Sequence, residues 1–242
     1  MLCFQEEAMM PVGTQNEATR VAWVEQALKQ VPPGWRLLDA GAGEQQYRKF
    51  CSHLKYVSQD FAQYDPSKTS SGLQMPAWDY GRLDIVSDIT RIPEPDASFD
   101  AVLCAEVLEH IPDPLLAIRE FARLLRPGGI LILTAPFCSM THFAPYHFST
   151  GFSRFFYEHH LPRSGLELVE LTPNGNYFEY IAQELRRVPE MAARYAPQVG
   201  VLQRWRFFFA GRLLRLMARL SKADSGSAEL LCFGYHLRAR RQ

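Results

Sequence analysis

The 242-residue sequence contains no Cys-x-x-C pair and no Gly-Lys-Ser/Thr triplet, has no net charge, and has no long apolar run. Each absence excludes something. Five scattered cysteines, Cys3, Cys51, Cys104, Cys138 and Cys232, form neither a disulfide framework nor a zinc knuckle, and are expected as reduced, mostly buried thiols of a cytoplasmic protein. Without Gly-Lys-Ser/Thr there is no Walker loop. With 26 bases against 26 acids, no global charge draws the chain to nucleic acid. No stretch reaches the roughly 18 uncharged apolar residues of a membrane span. Glu6 and Glu7 stand where a secretory leader needs positive charge.

The charge is nevertheless uneven. From Val199 onward nine bases face only Asp224 and Glu229. Most of these bases lie in "VLQRWRFFFAGRLLRLMARLSK", which carries six bases and no acid. This stretch, 201–222 within an expected basic helix over 199–222, reads either as a helix docked on the fold or as a weak membrane-surface contact.

Apolar residues at helical spacing predict a helix over 15–31, stopped by Pro32, Pro33 and Gly34. "RLLDA", "LKYVSQD", "LDIVSD", "SFDAVLCAE" and "GILILTAP" read as strands, the last with the continuous apolar run of a strand covered on both faces. Helices are expected in "EQQYRKFCSH", in "DPLLAIREFARLL" up to Arg126, around 150–161 and within 177–222. "LELVEL" and "ELLCFGYHLRA" supply two further strands. Residues 61–82 are too long for an ordinary connection and suggest a functional loop or irregular crossover. Strand–helix alternation predicts an α/β fold: a Rossmann-like, doubly wound, seven-stranded sheet, mostly parallel with an antiparallel last strand and helices on both faces. One domain over 1–242 is expected, with an N-terminal helical segment (1–34), a cofactor-binding core (35–137) and an acceptor-side half (138–242).

The acidic residues Asp39, Asp60, Asp88 and Glu106 each fall at or after a predicted strand, so they gather on one rim of the sheet. They flank the turn "LLDAGAGEQQYRKF". A dinucleotide fingerprint needs a third glycine, but this chain has Gly41, Gly43 and then Gln46. Glu44 also places a carboxylate where a phosphate would dock. The turn therefore suits a nucleoside without phosphates, such as S-adenosylmethionine (SAM). Asp60, 21 residues after Asp39, suits the ribose hydroxyls, and Asp88 suits the adenine amine.

"LLDAGAGEQQYRKF", "YVSQDF" and "DIVSDITRIPEPDASFDAVLCAEVLEHIPDPLLAIREFARLLRPGGILILTAPF" together resemble the class I SAM-dependent methyltransferases, in the subgroup with an E-V-L-E-H segment. The resemblance covers roughly residues 35–137. It implies that Asp39, Gly41, Ala42 and Gly43 hold the methionine and ribose side. Asp60 would take the ribose, with Phe61 beside the adenine, and Asp88 and Ile89 the adenine edge. Cys104, Ala105 and Glu106 would contact the methionine moiety, and Arg48 would reach its carboxylate. Gln45 stands where many members have a small residue.

The activity implied is methyl transfer to a small-molecule acceptor, with O-methylation favoured and S-adenosylhomocysteine (SAH) as product. The alternatives are a degenerate SAM-binding regulatory protein and a nicotinamide-dependent oxidoreductase. His110, which closes "EVLEH", is a candidate base. His142 and His147 in the aromatic stretch "THFAPYHFSTGFSRFFYEHH" are two more. No metal site is expected, because no cysteine or carboxylate completes a set around His142, His147, His159 and His160.

Overall fold

Leu37, Leu38 and Ala40 draw Arg36–Ala40 (β1) into the middle of a sheet, where all three are fully buried. A computed structural model of the chain describes residues 11–68, 71–74, 78–198 and 203–242, with the backbone alone for 203–209. The described residues of Met1–Thr19, with Asn174–Phe233, form one compact unit; Arg20–Pro173 with Gly234–Gln242 form the other.

The larger unit is built on the seven-stranded sheet. Its strands are β1, β2 (Lys55–Asp60), β3 (Ile85–Val86), β4 (Phe99–Ala105), β5 (Leu125–Pro136), β6 (Leu166–Asn174) and β7 (Gly234–Arg241), in spatial order β3-β2-β1-β4-β5-β7-β6. The pairs from β3 through to β5 are parallel, and β7 runs antiparallel to β5. Parallel strands bring the carboxyl ends of β1, β2, β3 and β4 to one rim, and the order reverses between β1 and β4, which opens a crevice there.

The first helix, α1 (Asn16–Lys29), buries Val24, Ala27 and Leu28 against Leu37, Ala101 and Leu103 of the sheet. α2 (Pro114–Leu124) starts where Asp113 Oδ1 accepts from the backbone N–H of Leu115 and Leu116 at 3.0 and 3.3 Å, with Pro114 in its first turn. It stops at Leu124, two residues short of the expected end, because β5 begins at Leu125 and runs through Pro127-Gly128-Gly129. α3 (Arg154–Arg163) follows β5.

The helix expected in 44–53 is absent. Turns lead only to a short 3-10 helix, Arg48–Phe50. Gln45 takes a left-handed backbone (φ 58°) and spends its side-chain amide on the carbonyls of Tyr80 and Arg82, at 2.9 and 3.1 Å. An α-helix has no room for that conformation.

In the smaller unit, α4 (Tyr177–Tyr195) and α5 (Gln203–Lys222) pack on each other through Ala182, Met217 and Ala218, with Val12. Leu213 and Leu216 of α5 stay exposed. Residues 199–202 of the basic stretch lie outside the described residues. Asn176 caps α4 by accepting from Glu179 N–H at 3.1 Å. Cys51 and Cys104 are buried free thiols, Cys232 is buried and Cys138 is half-buried; Cys3 lies outside the described residues. No helix among the described residues is long and apolar enough to cross a membrane.

Candidate active site

The turn after β1 is clasped by the end of β2. Gly41 and Ala42 donate their backbone N–H groups to the Gln59 carbonyl at 2.9 and 2.8 Å, and Gly43 donates to Asp60 Oδ2 at 2.9 Å. Asp60 Oδ1 accepts from Ala62 N–H, also at 2.9 Å. Asp60 is nearly fully buried. Burial pushes its carboxyl above the ordinary range, and the backbone donors pull it back. Beside it, Asp39 accepts from the Tyr56 hydroxyl at 2.6 Å. Burial, opposed by Tyr56 and assisted by the charge of Asp60, raises Asp39 to about 7. Phe61 N–H also faces the Asp60 carboxylate, which with four lone pairs keeps capacity for further donors.

Both glycines are required here. Gly41 (φ 77°) and Gly43 (φ 50°) lie in the left-handed region. A Cβ at position 41 would stand 2.6 Å from Val107 Cγ2, and one at position 43 would stand 2.7 Å from Trp78 Cζ3.

Trp78 belongs to the long segment between β2 and β3, whose described residues hold a short 3-10 helix, Pro66–Lys68, and otherwise irregular backbone. This segment folds over the turn. Asp79 N–H donates to Glu44 Oε1 at 3.1 Å. Leu73 pairs with the chain after β5, accepting from Phe143 N–H at 3.0 Å and donating to the Thr141 carbonyl at 2.8 Å. Tyr64 stacks on Phe143 with ring centroids 3.8 Å apart, and Phe61 meets Tyr146 edge-on at 4.9 Å. The loops after β2 and β5 thereby form one aromatic wall.

At the end of β4, Cys104 is fully buried, Ala105 half-buried, and Glu106 left-handed (φ 56°). A non-glycine residue in that conformation stores strain of the kind found at functional sites. Glu106 pairs with Arg20 of α1, Nη1 to Oε2 at 3.2 Å, and both are largely shielded. Arg20 also lies against the Tyr47 ring hydroxyl. The sequence reading missed Arg20. Its signal was a base one turn before Val24 on the apolar stripe of α1, where a solvated arginine does not belong.

Asp88, two residues past β3, is exposed and accepts from Thr90 N–H at 2.8 Å, next to buried Ile89. Arg48 is exposed, donates to Gln45 Oε1 at 2.9 Å and lies over the Tyr56 ring.

The three histidines converge. Ring centroids lie 4.8 Å apart for His110 and His142, 4.9 Å for His142 and His147, and 6.0 Å for His110 and His147. Burial, with His142 nearby, lowers His110 to about 3; the same causes lower His147. His110 is therefore a neutral imidazole at ordinary pH. Glu109, fully buried beside it, is held well above the carboxylate range by desolvation.

Residues 38–133 match a family model described as "Methyltransferase domain". That match covers less than half of the chain. A ubiquinone biosynthesis O-methyltransferase of Xanthomonas campestris pv. campestris is 37% identical over 131 residues, which is 52% of this chain and 50% of that protein. The chain thus spans about half the length of the curated relatives it matches. Among solved structures, the cyclase SpnF superposes with TM-score 0.54 at 20% identity, over 90% of this chain and 80% of that one. A putative methyltransferase from Bacillus halodurans C-125 does so with TM-score 0.53 at 14% identity, over 92% and 99%. At such identities the superpositions speak for the fold alone. The matched span contains the clasped turn, Asp60, Asp88, Glu106 and His110; Arg20, His142 and His147 come from outside it.

Proposed function

We propose that the chain binds SAM along this rim and transfers its methyl group to a hydroxyl of a small organic acceptor. The observation that carries the reading is the turn held by Asp60, with both glycines in left-handed backbone and no space for a Cβ. The residues fit the cofactor. Asp60 keeps lone pairs for two ribose hydroxyls, and Asp88 stands for the adenine amine. Arg20 and Glu106 offer a cation and an anion side by side, the complement of a zwitterionic amino-acid tail. The aspartates and glutamates of the rim favour a cationic ligand over a pyrophosphate.

SAM supplies, when bound, a methyl group already activated on a sulfonium. The chain's task is alignment and water exclusion. Trp78, Tyr64 and Phe143 form an apolar cover over the turn, and the imidazoles of His110, His142 and His147 offer ring nitrogens where a hydroxyl proton can be received. The printed name of the Xanthomonas relative supports oxygen as the acceptor atom. We take the single-domain organisation as part of this proposal, with both compact units serving one enzyme.

Incubation with methyl-labelled SAM and a panel of hydroxylated aromatic and aliphatic acceptors tests the reading. Label in an acceptor, with matching SAH, supports it. SAM binding without transfer to any acceptor or to a cell extract would favour the regulatory alternative.

A further inference from the structure

His110 lies 32 residues from His142 in sequence, yet the structure brings both together with His147, one ring nitrogen from each lying within 4.8 Å of the others. Two of the rings are held in a defined tautomer. His110 Nδ1 donates to the Tyr146 carbonyl at 2.6 Å, and His142 Nδ1 to the Met140 carbonyl at 2.9 Å. Each hydrogen bond places the proton on Nδ1 and leaves a lone pair on Nε2. A carbonyl on the far nitrogen is how metal-ligating imidazoles are oriented.

The third ring gives an independent sign. Both nitrogens of His147 are shut from solvent and have no hydrogen-bond partner among the described residues. An orphaned buried polar group is costly, so it calls for an occupant. The backbone that carries it is fixed: Phe148 and Ser149 donate their N–H groups to the Glu109 carbonyl at 2.9 and 3.2 Å. Glu109 Oε1 sits 3.7 Å from His110 Nε2, which puts a carboxyl group at the edge of the cluster.

We propose that His110, His142 and His147 form a binding site for a divalent transition-metal ion, with Zn²⁺ the best match to three imidazole nitrogens. Zn–N bonds of about 2.0–2.1 Å set tetrahedral N···N separations of roughly 3.4 Å, so the rings close by about an ångström or slightly more on binding. Three protein ligands leave a fourth position open, as in metal sites that meet a substrate rather than brace a fold. The inference rests on the histidine geometry and not on the proposed methyl transfer.

The test strips the full chain with a chelator, dialyses it against Zn²⁺ and measures bound metal by elemental mass spectrometry, then repeats the loading with Co²⁺ and records the visible spectrum. About one ion per chain is expected, with Co²⁺ bands of low-coordinate geometry. His142→Ala and His147→Ala should each lose the stoichiometric ion and the bands. His147→Gln, which keeps the side-chain bulk, should do the same with an unchanged far-UV circular dichroism spectrum. A double His159→Ala, His160→Ala variant should retain the metal. The proposal is overturned if folded wild-type protein retains no ion, if folded His147→Gln retains it fully, or if the His159/His160 variant loses it. SAM-induced thermal stabilisation is measured in parallel, so failure of the metal site and failure of the cofactor reading are seen separately.

Discussion

Gly43 donates its backbone N–H to Asp60 Oδ2 at 2.9 Å, and that bond joins the turn after β1 to the end of β2. The same carboxylate is the proposed ribose acceptor, so it shapes the turn and meets the ligand at once. Asp60→Asn removes the charge and turns one acceptor into a donor facing the Gly43 or Ala62 N–H. A charged hydrogen bond contributes about 1.5–3 kcal/mol, so SAM affinity by calorimetry should fall roughly 10- to 150-fold.

Trp78 and Gly43 are mutually constrained. Gly43→Ala places a Cβ 2.7 Å from Trp78 Cζ3 on a backbone that disfavours any side chain. The left-handed conformation alone costs about 1–2 kcal/mol. Adding Trp78→Ala should relieve the clash and leave the backbone cost, so the double variant should bind SAM more tightly than Gly43→Ala. Strictly additive losses in the double-mutant cycle would refute the contact.

Arg20 faces Glu106 where the methionine tail is proposed to lie. Arg20→Met should weaken SAM and SAH binding, while leaving the affinity for 5′-methylthioadenosine, which has no amino-acid tail, unchanged within error. An equal loss for all three ligands would assign Arg20 to the fold instead.

Stability should respond to pH through opposing groups. Asp39 is raised to about 7 in the fold, so the folded state holds more protons than the unfolded one between about 4 and 7, and this contribution falls as pH rises through that window. His236, lowered to about 4 by burial and then by Arg20, works in reverse: its contribution is lost as pH falls from about 6.5 to 4. In urea unfolding across pH 4–7, Asp39→Asn should therefore steepen the rise of stability with pH, and His236→Gln should flatten it.

The sheet was legible because β1, β2 and β4 carry short apolar stretches with a carboxylate at or just past their ends, and Asp39, Asp60 and Glu106 stand on the rim as those ends required. The helix expected in 44–53 failed for a reason the local pattern hides: Gln45 is bound to carbonyls 35 and 37 residues away. The joining of His110 to His142 and His147 was likewise hidden, since it comes from chain crossings and not from spacing, whereas Arg20 was marked only by its place on the apolar stripe of α1. The resemblance implied that Arg48 reaches the methionine carboxylate, and the structure gives it Gln45 and the Tyr56 ring as neighbours.

The most direct test of the central claim is thermal stabilisation of the full chain by SAM, SAH and NAD, measured on wild-type protein and Asp60→Asn. SAM and SAH should raise the melting temperature of wild type, Asp60→Asn should lose most of that rise, and NAD should have no effect. Stabilisation by NAD with none by SAM or SAH would contradict it.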